Sequence, residues 1–348
     1  MALFRRPSRP EDKADMQQPP ESEPVQADAE VDAASTPLPS DVEEEAAVDT
    51  EETPMTEADH STSQPEPASE LVEDSTATPP VGPSGKPVRE LPRIMAVANQ
   101  KGGVGKTTTT VNLGAALAEL GYRVLVVDLD PQGNATTGLG IERRNFEYSM
   151  YDVIMKEHPL EDVVEATSVR GLFVAPATLD LSGVEIELVS MFSRELRLKR
   201  AIESVIDDYD FVIIDCPPSL GLITINALAA AKEVLVPIQC EYYALEGLTQ
   251  LRATLKLVAS NLNPELELST IVLTMFDSRT NLSTDVKNDV TEHFPDQVCA
   301  TIIPRTVRLS EAPSFGQPIT VFDPNSKGAK TYRKLAKEVS NGAPKRAG

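Results

Sequence analysis

The chain has 348 residues and a formal net charge of −22, room for two ordinary domains or one large domain with a tail, and a balance that excludes a generally basic nucleic-acid-binding surface. No apolar run approaches the ~18–20 residues of a membrane-spanning helix, and the three cysteines, Cys216, Cys240 and Cys299, show neither paired nor metal-ligand spacing. With only His60, His158 and His293 there is no basis for a His-rich metal site, and the cysteine usage fits a reducing, cytoplasmic setting.

Residues 1–90 hold 22 acidic against 6 basic side chains, half of the prolines and a single aromatic, Phe4. Such a segment buries too little apolar surface to offset its ordering entropy and is predicted to be a disordered, acidic, Pro-rich tail. Its opening, MALFRRPSRP, is basic but lacks the apolar stretch of a secretory signal. A partner-binding tail and an inert spacer are both consistent with this composition.

From residue 91 to 342 the pattern is that of one globular domain, followed by a short flexible end at 343–348. Apolar runs at 94–98, 123–128, 172–175, 211–215, 233–238, 269–274 and 301–303 read as strands buried on both faces. Helical periodicity at 106–120, 194–207, 223–232, 245–261, 281–293 and 327–340 alternates with them. This alternation predicts an α/β fold: a mainly parallel twisted sheet flanked by helices. Charge shifts along the domain. Residues 299–348 carry nine Lys/Arg against three acids, which leaves 91–298 strongly acidic. DNA binding, if present, needs that local basic patch.

Between the first strand and the first helix lies NQKGGVGKTTTT, residues 99–110. A glycine-rich turn entering a helix predicts a phosphate cradle, formed by the backbone N–H groups of Gly102, Gly103, Val104, Gly105, Lys106, Thr107 and Thr108 together with the helix N-terminus. The usual G-x-x-x-x-G-K-[ST] spacing is not met, because Gln100 stands where the first glycine belongs. A second lysine, Lys101, precedes the loop; from spacing alone it reads equally well as a solvated surface residue. Lys106 is expected to bridge the β- and γ-phosphates and Thr107 to ligate Mg²⁺.

Two later strands end in carboxylates. VLVVDLDPQGNAT supplies Asp128 and Asp130, and FVIIDCPPS supplies Asp215. Ligands of parallel sheets bind at the carboxyl ends of the strands, so these acids should meet Lys106 and Thr107 there. A lone Asp at a strand end is commonly a cap, but three strand ends with matching chemistry point to a nucleotide site. Asp128 is expected to line the site, Asp215 to reach Mg²⁺ and Asp130 to position the attacking water.

Together KGGVGKTT, VDLDPQGNAT, FVIIDCPPSLG, PIQCEYYALEGL and IPRTVRLSEAPSFGQPI closely resemble the ParA/Soj family of chromosome-partitioning ATPases, of the deviant Walker A P-loop class. The resemblance spans about 92–339 and leaves the tail unmatched. It implies a slow, partner-stimulated ATPase using ATP and Mg²⁺, acting on a chromosome or a plasmid. It implies an ATP-dependent homodimer in which Lys101 reaches the nucleotide held by the partner subunit. It implies nonspecific DNA binding on the nucleoid, released when a ParB-type centromere-binding protein stimulates hydrolysis. Arg279 in FDSRTNL and Arg308 in RTVRLSEAP match positions used for DNA contact, although pairing with Asp277 and Glu311 is the plain alternative. Lys327, Lys330, Arg333, Lys334 and Lys337 either extend that patch or form a solvated helix face. The adenine is expected near Pro304 and Thr306. The tail lies outside the resemblance; a polar-scaffold or regulatory partner and electrostatic screening of DNA are its candidate roles beside that of an inert spacer.

Two other functions compete. A MinD-like, membrane-associated division-site regulator needs a C-terminal amphipathic anchor. The stripe Ala329, Tyr332, Leu335, Ala336 and Val339 has the spacing, but its narrowness predicts core packing. A redox or metabolic relative, such as a nitrogenase iron protein or a cobyrinate-type amidation enzyme, also competes; an iron–sulfur cluster at a dimer axis needs two matched cysteines per subunit, and the cysteine spacing here does not match that pattern.

Overall fold

Seven strands and eleven α-helices are found among the described residues, which in this computed structural model are 81–83, 88–142, 144–241 and 244–343, without the side chains of 244–246. All lie in the unit Asp74–Gly348. The tail expected over 1–90 lies almost wholly outside the described residues, as does the flexible end expected at 343–348. In chain order the elements are β1 Arg93–Val97, α1 Lys106–Glu119, β2 Val124–Asp128, α2 Asn134–Gly138, α3 Met150–Lys156, β3 Glu165–Ala166, β4 Leu172–Ala175, α4 Leu181–Glu187 and α5 Arg197–Glu203. There follow β5 Phe211–Asp215, α6 Leu222–Ala230, β6 Glu233–Gln239, α7 Ala244–Asn261, β7 Glu267–Thr274, α8 Asn281–His293, α9 Val307–Glu311, α10 Ile319–Phe322 and α11 Lys327–Ser340.

The strands form one sheet of order β3-β4-β2-β5-β1-β6-β7, parallel except for β3, which runs antiparallel to β4. Every residue of β1, β2 and β5 is buried. Their Val/Ile/Leu runs are what a strand covered by helices on both sides requires. The register sets β1 beside β5 with Val97 opposite Asp215, and β2 beside β5 with Asp128 opposite Asp215. Two carboxylates and the start of the glycine loop thus leave the sheet at one edge.

The helices enclose two apolar layers. One joins Leu125, Val127, Leu181, Val184, Ile214 and Leu248; the other joins Leu113, Leu117, Phe211, Tyr332 and Leu335. The stripe Ala329, Tyr332, Leu335, Ala336 and Val339 is buried against α1, so α11 is a core helix. No helix among the described residues is long and apolar enough to cross a membrane.

Three expectations change. Residues 301–303 form no strand: they follow β7 through bonds such as Ile303 N to Leu273 O (2.8 Å) and isolated bridges at Val298 and Pro304, too irregular for a ladder. The helix expected over 194–207 is α5 alone, with a 3₁₀ turn at Ile206–Asp208. Five short helices, α2, α3, α4, α9 and α10, were not foreseen because four to seven residues carry too little periodicity to be read.

Candidate nucleotide site

The loop at 99–105 turns β1 into α1. Gly103 and Gly105 take φ of 72° and 89°, the left-handed region that glycine enters without strain. A Cβ at Gly102 or Gly103 would meet nothing within 4 Å, so this side of the loop is open and its backbone accessible. Its rear is strapped down. Asn99 accepts the Lys101 N–H on Oδ1 (3.0 Å) and donates Nδ2 to Pro237 O (2.8 Å). The Thr274 hydroxyl, at the end of β7, donates to Val104 O at 2.8 Å. The open N–H groups and the positive end of a fourteen-residue helix face the same space.

The two lysines behave differently. Lys106 is 7% exposed, and its Nζ lies 3.3 Å from Lys101 O, inside the loop. Burial lowers its pKa, with Asp215, Cys216 and Asp130 opposing. Lys101 is half-exposed, and its ammonium lies 3.3 Å from Glu241 Oε2, itself half-exposed.

The acids divide likewise. Asp215 is fully buried, and burial followed by the neighbouring Asp128 pushes its carboxyl far above the ordinary range. Its Oδ1 accepts from the Thr110 hydroxyl at 2.9 Å. Its Oδ2 is buried with no hydrogen-bond partner; the nearby Thr107 hydroxyl favours the charge without reaching it in bonding geometry. Asp128, also fully buried and also raised chiefly by desolvation, is turned inward. Its Oδ2 accepts the Thr136 hydroxyl (2.7 Å) and N–H (2.8 Å), and its Oδ1 the Asp130 N–H (3.2 Å). In the free chain Asp128 therefore supports the 130–138 turn rather than facing the loop. Asp130 is half-buried at the start of that turn, with its Oδ1 accepting from Gln132 N at 3.0 Å.

Pro304 and Thr306 line a cavity of about 330 Å³ together with Gly105, Thr108, Met275 and Tyr332. Thr306 also caps α9, accepting the Leu309 N–H. Met275 sits there at φ 51°, a conformation a branched or bulky side chain seldom adopts and one that clusters at functional sites. Arg279 and Arg308 lie outside this cavity. Arg279, its side chain 87% exposed, grips Asp277 by donating from Nε and Nη2 (2.8 and 2.6 Å) and holds that carboxyl well below its usual range. Arg308 pairs with Glu311 (3.0 Å) and Asp323 (3.4 Å). Arg333 is bound to Glu119 at 2.6 Å, whereas Lys327, Lys330, Lys334 and Lys337 are exposed. Residues not foreseen from sequence are Asn99, Thr110, Thr136, Glu241, Thr274 and Met275. The run of four threonines after Lys106 was a usable signal for Thr110; the others act through pairings that no local pattern announces.

An open backbone cradle, a buried lysine and a carboxylate with an orphan oxygen at the same sheet edge suit a polyphosphate and its counter-cation, which puts the protein in the P-loop class of nucleotide hydrolases. Residues 92–268 match the family described as AAA domain. The chain is 58% identical over 248 residues to the sporulation initiation inhibitor protein Soj of Bacillus subtilis, covering 71% of this chain and 98% of that protein. It is 53% identical over 247 residues to the chromosome partitioning protein ParA of Myxococcus xanthus, covering 71% and 87%. Among solved structures it resembles one described as cobyrinic acid a,c-diamide synthase from Mycobacterium smegmatis with bound ATP analog and magnesium, at 42% identity, TM-score 0.63 and 71% and 93% coverage. The cell division ATPase MinD of Pyrococcus furiosus is more distant, at 28% identity and TM-score 0.60, with 72% and 99% covered. The chain belongs to the ParA/Soj family of chromosome-partitioning ATPases.

Proposed function

We propose that this ATPase, through its 91–342 domain, is an ATP-driven DNA-segregation switch. Two protomers close on two ATP molecules, and the closed dimer binds nonspecific DNA of the nucleoid in the cytoplasm. A ParB-type centromere-binding partner then stimulates a slow hydrolysis that releases it. The observation that carries this reading is the split between the lysines: Lys106 is buried in the loop, while Lys101 is half-exposed and held only by a surface pair with Glu241. A half-exposed pair such as Lys101–Glu241 contributes little, so Lys101 can exchange Glu241 for a triphosphate held by another protomer, and that exchange favours association.

Within one protomer the loop N–H groups from Gly102 to Thr108 bind the phosphates and Lys106 neutralises the β- and γ-oxygens. Thr107 and Asp215 would hold Mg²⁺; the buried, unpartnered Asp215 Oδ2 is the donor such a cation needs. When bound, Mg²⁺ supplies charge neutralisation on the phosphate oxygens. Asp130 orients the water whose oxygen bonds the γ-phosphorus as the bond to the β–γ bridging oxygen breaks, with Lys101 of the second protomer meeting the charge that develops. Asp128 serves by holding the turn that carries Asp130. Pro304 and Thr306 take the adenine. Arg279 and Arg308 exchange their acidic neighbours for DNA phosphates; both ion pairs are exposed, so the exchange is nearly balanced. The tail is assigned to a polar-scaffold or regulatory partner.

For the amidation reading, no exposed thiol is available for glutamine hydrolysis: all three cysteines are buried. The membrane-anchor reading needs a free apolar stripe on α11, and that stripe is in the core.

The test is binding to nonspecific duplex DNA at two salt concentrations with ADP, ATP or a slowly hydrolysed analogue. Wild type should bind only with ATP or its analogue, and binding should fall steeply with salt. Lys101→Ala and Arg279→Ala/Arg308→Ala should lose it while still binding nucleotide. Binding absent with every nucleotide would overturn the DNA reading.

A further inference from the structure

Four consecutive threonines, residues 107–110, lie in the first turn of α1. Successive side chains of a helix stand ~100° apart, so each threonine faces a different side. Thr108 lines the cavity of Pro304 and Thr306. Thr109 is wholly buried, 3.4 Å from the Tyr332 hydroxyl. Thr110 is wholly buried too, and its hydroxyl donates to Asp215 Oδ1 at 2.9 Å, at the end of β5. A threonine inside a helix commonly returns its hydroxyl to a carbonyl of the preceding turn; Thr110 directs it across to the sheet. Thr107 lies three residues earlier and so shares a helix face with Thr110. The threonine assigned to Mg²⁺ and the threonine bonded to Asp215 are therefore stacked neighbours.

The carboxyl group of an aspartate turns about a broad, roughly two-fold torsion, so its own preference does not fix which way each oxygen faces. The surroundings must do so. Among the described residues Thr110 is the only donor in bonding geometry to the Asp215 side chain, and it leaves Oδ2 without a partner. The other groups at this edge are engaged elsewhere. Asp128, opposite Asp215 in register, is held by Thr136 and the Asp130 N–H. Lys106 donates to Lys101 O. Carboxylates that ligate a metal are themselves held by outer hydrogen bonds, and losing such a partner typically costs about 10–100-fold in metal affinity or activity.

We propose that Thr110 is a positioning residue for Mg²⁺: by holding Oδ1 it fixes the Asp215 carboxylate so that Oδ2 is free to meet the cation bound with Thr107. The inference rests on the reading above of Thr107 and Asp215 as the Mg²⁺ site and adds the residue that orients it. Thr110 acts through Asp215 alone and touches neither nucleotide nor cation. Valine has nearly the shape of threonine without the donor, and serine keeps the donor without the methyl group. The two substitutions therefore separate the hydrogen bond from the packing.

The experiment measures the affinity of the full-length chain for a slowly hydrolysed ATP analogue, once with Mg²⁺ and once with a chelator in its place. The ratio of the two affinities is the response to Mg²⁺. It is read for wild type, Thr110→Val, Thr110→Ala, Thr110→Ser and Asp215→Asn. Thr110→Val should bind the analogue as wild type does in chelator, yet lose about tenfold or more of the Mg²⁺ response. Thr110→Ala reads the same loss if the valine variant misfolds, and Thr110→Ser should keep the response. Thr110→Val added to Asp215→Asn should cost nothing further, because both act through one contact. With Asp215→Asn unresponsive to Mg²⁺, three results would overturn the inference alone. They are an unchanged response in Thr110→Val, a loss equal with and without Mg²⁺, and a Thr110→Ser variant as impaired as Thr110→Val. A wild-type response in Asp215→Asn would overturn the Mg²⁺ reading of that carboxylate and this inference with it.

Discussion

Asp215 shows what the nucleotide site asks of a single residue. It is wholly buried, faces Asp128 across paired strands, and leaves one oxygen without a partner. Its folded pKa is raised above the unfolded value. Its destabilising effect is therefore absent below the unfolded pKa and grows as pH rises through the folded one. The nucleotide-free chain should lose stability as pH rises from the ordinary carboxylate range, and Mg²⁺ with nucleotide should stabilise it most at the high end. Asp215→Asn should flatten this slope and stabilise the free chain by about 1–2 kcal/mol, while ATP turnover falls by about 10² or more. Melting curves across pH check this; an unchanged slope in Asp215→Asn would refute it. Thr136 poses the converse case. Its hydroxyl joins Asp128 to Ala177, so Thr136→Val should lower stability by about 1–3 kcal/mol, read as a shifted denaturant midpoint at constant m.

At the scale of elements, α11 decides between two readings of one apolar stripe. Leu335, Ala336 and Tyr332 are buried to 1% exposure or less, and the Tyr332 hydroxyl lies 3.4 Å from that of Thr109 in the loop helix. The helix therefore supports α1 and, through it, the phosphate loop. Leu335→Ala should cost about 2–5 kcal/mol in chemical denaturation, and the full-length chain should not float with anionic vesicles. Flotation abolished by Leu335→Ala with little change in stability would instead mean a membrane helix. The edge run at 298–304 makes a related point. Its apolar residues read as a strand, yet it bonds β7 only intermittently, and at its end Pro304 and Thr306 line the cavity beside Gly105 and Tyr332.

For the whole molecule, nucleotide is expected to govern assembly. A protein that dimerises around ATP has a stability inseparable from its own concentration. The melting temperature with a slowly hydrolysed ATP analogue should therefore rise with protein concentration and be independent of it with ADP. Calorimetry over a hundredfold concentration range reads this directly; the same flat response with both nucleotides would remove the dimer. Net charge acts in the same direction. A chain at −22 repels both itself and DNA, and in the proposed reading a Lys101 partnered by a triphosphate and a doubled Arg279–Arg308 patch would offset that repulsion.

The central strands, the long helices and the phosphate loop were legible in the sequence because each is set by local periodicity: unbroken Val/Ile/Leu runs in strands covered on both sides, and glycines wherever φ must be positive. The carboxylates were legible as a set, since strand ends in a parallel sheet converge at one edge. Their separate duties were not. That Asp128 faces inward to Thr136 while Asp215 keeps an oxygen free depends on side chains 8 and 105 residues away in the chain. The short helices were invisible because tertiary packing holds them. Sequence determined which residues can bind phosphate; only the tertiary structure decided which lysine is buried in the loop and which pairs at the surface, because the loop is fixed by Pro237 and Thr274 from β6 and β7, and Lys101 meets Glu241 just beyond β6.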